Sequence, residues 1–222
     1  MSKILSFKLW FALSTVALLA ACAQQPARHA DYTAFKNSRP HSILLLPPTN
    51  ETTDVQATNG MLSQMTMPLA ESGYYVIPVA VMDETFRQNG LTAAADIEAT
   101  TPAKLREIFG ADAVLYSKIT QYGSVYRVLD SATVVTASAR LVDLKSGDVL
   151  WQGRASANSN EGNNYAGSGL IGMLVTAAVK QVASSLTDKG HDIAGVTSYR
   201  LLQAGPPNGL LYGPRSPKYG TD

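Results

Sequence analysis

Few residues in this chain of 222 could do chemistry. There is one cysteine, Cys22, and there are three histidines, His29, His41 and His191. No pair of them has the short spacing that holds a metal ion, so no metal site is expected. No G-x-S-x-G occurs, and the acids are not paired for general acid–base work. Gly167-Ser168-Gly169-Leu170-Ile171-Gly172 does match G-x-G-x-x-G at the start of a predicted helix. A dinucleotide site also needs a strand directly before that motif and an acid after the next strand. Here Ser156 to Ser168 is an Asn-rich loop instead. Gly167, Gly169 and Gly172 are therefore read as a hinge, or at most as a weak anion or ligand loop at a helix start. The expectation is no catalytic residue, no enzyme and no cofactor.

Cys22 is different, because of what precedes it. Lys3 and Lys8 form a short positive region, and an apolar run from Leu9 to Leu19 follows. Small residues then lead to the cysteine. That order is an export signal, residues 1–21, and stands apart from the fold. The apolar run is shorter than the ~20 residues of a spanning helix. Leu19-Ala20-Ala21-Cys22 resembles the lipobox of bacterial lipoproteins. The resemblance implies cleavage before Cys22, diacylglycerol on its thiol and an acylated new N-terminus. Two or three acyl chains anchor stably where one alone binds marginally. Ala23, where enteric inner-membrane lipoproteins carry Asp, implies the outer membrane, with the domain on the periplasmic face.

Removing the signal takes away Lys3 and Lys8. The formal charge goes from +1 to −1 over the remaining 201 residues. A near-neutral chain has no strong pull on nucleic acid or anionic lipid, so membrane attachment falls to the acyl chains. With Cys22 acylated there is no disulfide, and the core alone must hold the fold.

Residues 22–40 are mostly small or polar and read as the lipidated N-terminus and tether, with Tyr32 and Phe35 able to reach the body. The domain then runs over 41–203. Ser42 to Leu46, closed by Pro47 and Pro48, reads as a strand buried on both faces. Residues 58–71 show helical spacing, with Pro68 predicting a kink or an early end. Gly73 closes that element. Tyr74 to Val79 reads as a strand and Val81 to Gln88 as a short helix. Thr101-Pro102 to Gly110 carries a cap, a first-turn proline and a terminal glycine. Ala113 to Ile119 is a third strand. Extended pieces at 125–128 and 132–141 follow, and Lys145 to Asp148 turns an antiparallel hairpin into Val149 to Gly153. Trp151 reads as core. A long helix over roughly 170–187 ends at Lys189-Gly190, and 193–202 reads as a short helix or strap. Residues 204–222 form a Pro/Gly-rich tail. Within it Leu210, Leu211 and Tyr212 either pack back on the body or contact a partner. The whole is a mixed α/β class, a mixed sheet with flanking helices.

Ile43 to Pro48, Gly110 to Leu115 and Ala139 to Gly147 together resemble a family of Gram-negative lipoproteins found in Neisseria and relatives. They also resemble the periplasmic part of the curli secretion lipoprotein CsgG and the N-terminal domain of TolB. These likenesses imply a fold more than a job. They imply a non-catalytic, protein-binding role in envelope assembly or secretion, with an envelope protein partner such as a CsgG-like lipoprotein. The alternatives are a regulator of a peptidoglycan synthase, a ring component of a secretion channel, which requires a homo-oligomer, and a small-ligand binder or enzyme at Gly167 to Gly172. A pore would need several spanning strands of about 9–11 residues, and only residues 125–141 offer one.

Overall fold

The computed structural model describes residues 30–127, 130–161 and 189–222. The described residues begin inside the expected tether. Helix α1, Thr33–Ser38, buries Phe35, and the Tyr32 hydroxyl donates to the Gly209 carbonyl at 2.6 Å. The packed body thus starts near Tyr32 rather than at residue 41.

Strand β1, Ser42–Leu45, is the apolar run the sequence marks, and Ile43, Leu44 and Leu45 are buried. Pro47 and Pro48 have no N–H to give the ladder. The chain therefore leaves the sheet and returns as β2, Thr49–Asn50. Helix α2, Ala57–Glu71, turns Met61, Leu62, Met65 and Leu69 into the core. Pro68 does not end it early. The proline packs in the core, and both the backbone N–H and the hydroxyl of Ser72 bond the Pro68 carbonyl. One missing helix bond is outweighed by that burial. Gly73, at φ +98°, makes the reversal.

Strand β3 is only Tyr75–Val76, because Pro78 already caps helix α3, Val79–Gln88. Helix α4, Ala94–Glu98, is too short to leave a periodic signal. Helix α5, Pro102–Phe109, has the expected ends: Thr101 Oγ1 accepts from the Lys104 amide, and Gly110 sits at φ +64°.

Three long strands follow: β4, Ala113–Arg127; β5, Asp130–Asp143; and β6, Val149–Asn158. Both β4 and β5 outrun the sequence expectation, since they pair with each other far beyond the buried core. The predicted turn before β6 is present, and the Asp143 carboxylate accepts from the amides of Lys145 and Ser146, each at 2.7 Å. The sheet order is β3-β1-β4-β5-β6, with β2 beside β4. Pairings with β4 on the β1/β2 side are parallel, and those through β5 and β6 are antiparallel. This is the mixed sheet with flanking helices that the sequence predicts.

Helix α6, Lys189–Leu202, lies with α2 on one face of the sheet. Lys189 and Gly190 belong to this helix and do not terminate one. The glycine is explained by close approach: a Cβ at Gly190 would fall 2.7 Å from Tyr122 Cε1. The predicted 170–187 helix lies outside the described residues. Thr197 Oγ1 donates to the carbonyls of Val135 and Ile193, tying α6 to β5.

The tail returns to the body. Leu210 is fully buried and bridges to Ala204. The Gly213 amide donates to the Ser72 carbonyl at 2.8 Å, and the Arg215 amide to the Gly73 carbonyl at 3.0 Å. A Cβ at Gly213 would sit 2.5 Å from the Gly73 carbonyl oxygen, a backbone atom that cannot rotate away. Gly213→Ala is expected to cost about 1–3 kcal/mol, read as a lower urea midpoint. An unchanged midpoint would mean that the tail is not seated on Gly73.

Candidate protein-docking site

Alternation along the strands sends Leu115, Ser117 and Ile119 toward α2, where Ser117 Oγ meets Met65 Sδ. The residues between them face the other way. On that second face the Glu98 end of α4 reaches the sheet, and beyond it the surface is open. The registers set two rows across three strands. Tyr116 lies opposite Arg140, and Arg140 opposite Gln152. Lys118 lies opposite Ser138, and Ser138 opposite Arg154. Together with Glu98, Thr49 and Gly153 these side chains line a groove of about 570 Å³.

The groove's lining residues carry more positive than negative charge. The Arg140 guanidinium stacks on Tyr116, 4.2 Å from the ring centroid. Lys118 pairs with Glu51 at 2.7 Å. Arg140 and Arg154 have no carboxylate within salt-bridge reach among the described residues. Glu98 sits where the β1 ladder breaks at Pro47-Pro48. Its Oε1 is buried with no hydrogen-bond partner among the described residues. Burial pushes its carboxyl above the usual range, and the Ser117 amide, Arg140, Lys118 and the Thr49 amide pull it back only in part.

A raised carboxyl pKa in the folded state means that Glu98 favours folding while protonated. That contribution is lost as pH rises from the ordinary glutamate range through the raised value. Glu98→Gln is therefore expected to stabilise the fold above that window, by less than about 1 kcal/mol because the carboxyl is partly solvated. Thermal melts of both proteins from pH 4 to pH 8 check it. A variant less stable at the alkaline end would contradict the reading.

The other sequence candidates fall elsewhere. Cys22, Gly167, Gly169, Gly172 and His29 lie outside the described residues. Of the two readings of Leu210, the structure shows the one in which it packs back on the body: it is core. Leu211 and Tyr212 are half-buried. The Leu211 carbonyl accepts from the Tyr74 hydroxyl at 2.6 Å, and the Tyr212 amide bonds the Asp222 carboxylate. His41 is exposed before β1, and His191 meets Gln64 from within α6. Trp151 is buried and donates to the Asn208 carbonyl at 2.9 Å. Among the described residues no cluster of His, Cys, Asp or Glu could hold a metal, and no helix is long and apolar enough to cross a membrane.

The groove residues were visible only as polar positions alternating along strands. Nothing in the sequence says that Tyr116, Arg140 and Gln152 stand in one row, because that depends on register.

The family described as Putative lipoprotein GNA1162-like matches residues 30–215. A putative lipoprotein of Neisseria meningitidis serogroup B, NMB1124/NMB1162, is 53% identical over 203 residues, 91% of this chain and 94% of that one. The crystal structure of lipoprotein GNA1162 from Neisseria meningitidis superposes with a TM-score of 0.53 at 57% identity, covering 66% of this chain and all of that one. The LpoB C-terminal domain from Salmonella enterica is more distant, at a TM-score of 0.39 and 20% identity over 53% of this chain and 82% of that domain. The chain belongs to the GNA1162-like family of lipoproteins.

Proposed function

We propose that this lipoprotein is held in the outer membrane by acyl chains on Cys22 and works on the periplasmic face as a non-catalytic, protein-binding module in envelope assembly or secretion. The observation that supports this reading is the open second face of β4, β5 and β6. It is wide and open and carries side chains that can form directional bonds, with two arginines that have no carboxylate partner among the described residues. Such a face suits another protein better than a small molecule, since small-ligand sites are usually enclosed. The anchor confines the domain to a layer near the membrane, which raises its effective concentration toward a membrane-bound partner.

The test is crosslinking in intact membranes, then affinity capture of the full-length acylated protein, beside Cys22→Ala and Arg140→Glu. The expected result is one stoichiometric envelope partner, reduced in both variants. Recovery of the native protein alone and monomeric, or of self-contacts closing a ring, would overturn it.

A further inference from the structure

Among the described residues, strand β6 is one edge of the sheet, with β3 at the other. The Ser159 amide donates to the Thr133 carbonyl, so the backbone groups of Ser159 face β5. By alternation those of Ala157, Ala155 and Gly153 face β5 too, and those of Gln152, Arg154 and Ser156 face outward. Arg200 agrees with this: its Nη1 reaches round to the outward Ser156 carbonyl at 2.8 Å. No backbone group among the described residues pairs with the outer side of Gln152, Arg154 or Ser156.

An unpaired edge is ordinarily blunted by being short, bulged or covered. Here the outward side opens on a slot of about 440 Å³, whose far wall is the chain from Gln203 to Gly209. The slot has two unlike sides. Toward the open face stand Arg154 and, one strand in, Arg140. On the helix side lie Trp151, Gly153, Pro206 and Pro207. The Trp151 indole, itself buried, lies across Gly153 and leaves no room for a Cβ there, and Arg200, Gln203 and Asn208 also line the slot. Of the described acids, Glu161 at this edge is already paired with Arg200 at 2.6 Å, and Glu98 stands two strands away.

We propose that β6 is a docking edge for one extended segment of a partner protein, which adds as a further strand with acidic side chains alternating with apolar ones. This rests on the protein-binding reading above and specifies its contact. The partner backbone would pair with Gln152, Arg154 and Ser156. Its acidic side chains would lie toward Arg154 and Arg140, and the alternate apolar ones toward Trp151 and the prolines. Backbone pairing supplies affinity in such complexes, and the alternate side chains supply choice.

The test uses the full-length acylated protein in detergent micelles with three synthetic peptides. One alternates Glu and Val, one alternates Lys and Val, and one is the Glu/Val peptide with a central proline. Residue-resolved amide exchange and binding are measured together. The Glu/Val peptide should slow exchange at Gln152, Arg154 and Ser156 by roughly tenfold or more. The proline peptide should bind roughly tenfold more weakly, since it breaks the ladder. Arg154→Glu, an exposed change that leaves the core intact, should favour Lys/Val over Glu/Val. Amides at the three positions already protected without peptide, or peptide binding that leaves them unprotected, would overturn the proposal. Capture of an envelope partner that does not protect these amides would sink the edge while leaving the protein-binding reading intact.

Discussion

Leu115→Ala is expected to lower the free energy of unfolding by about 2–5 kcal/mol. Leu115 lies near the start of β4, with Leu45 of β1 on one side and Leu141 of β5 on the other. All three are buried to 1% exposure or less. The parallel and antiparallel halves of the sheet meet there, so the cavity left by truncation is walled by paired backbone on both sides and cannot easily collapse. Urea unfolding should show a lower midpoint with little change in slope. Arg154→Ala on the open face, by contrast, should stay within about 0.5 kcal/mol of the parent. A cost below about 1 kcal/mol for Leu115→Ala would mean that β4 is not the centre of the core.

Cys22→Ala is expected to move the protein from the membrane fraction to the soluble periplasmic fraction. Each acyl methylene buried in the bilayer contributes about 0.8 kcal/mol, and two or three chains anchor stably where one binds only marginally. The body offers no substitute among the described residues, where no helix can span a bilayer. Fractionation and intact-mass measurement check the outcome together. The parent should carry the acyl mass and sediment with membranes, and the variant should do neither. A variant whose mass shows residues 1–21 removed and no acyl group, yet which still sediments with membranes, would place the anchor elsewhere in the chain.

Local signals carried well from sequence to structure where the physics is local. Pro47-Pro48 ended a strand because proline has no N–H. Thr101, Pro102 and Gly110 bounded α5 because capping and left-handed backbone are single-residue properties. The Asp143 to Asp148 turn formed where Ser-Gly and acidic residues favour it. Signals that depend on partners far along the chain were weaker. Lys189-Gly190 looked like a helix end, yet both are helical, and the glycine is there because Tyr122 passes too close for a Cβ. Pro68 looked like a break, yet burial outweighs one lost bond. The tail left two readings open for Leu210, and it is core, in a tail tied down by contacts about 140 residues distant in sequence, such as Gly213 to Ser72. The groove was illegible for the same reason. Tyr116, Lys118, Arg140 and Arg154 come from three strands, and only register brings them together.

The central claim is that a partner protein engages the open face of β4, β5 and β6. The direct measurement is photocrosslinking in living cells from a benzoylphenylalanine placed at Ser138, in the middle of that face, and from one at Met67, exposed on α2 on the opposite side of the sheet. The prediction is one discrete adduct to an envelope protein from Ser138 and none from Met67. An adduct from Met67 with none from Ser138, or no adduct from either, would contradict the account.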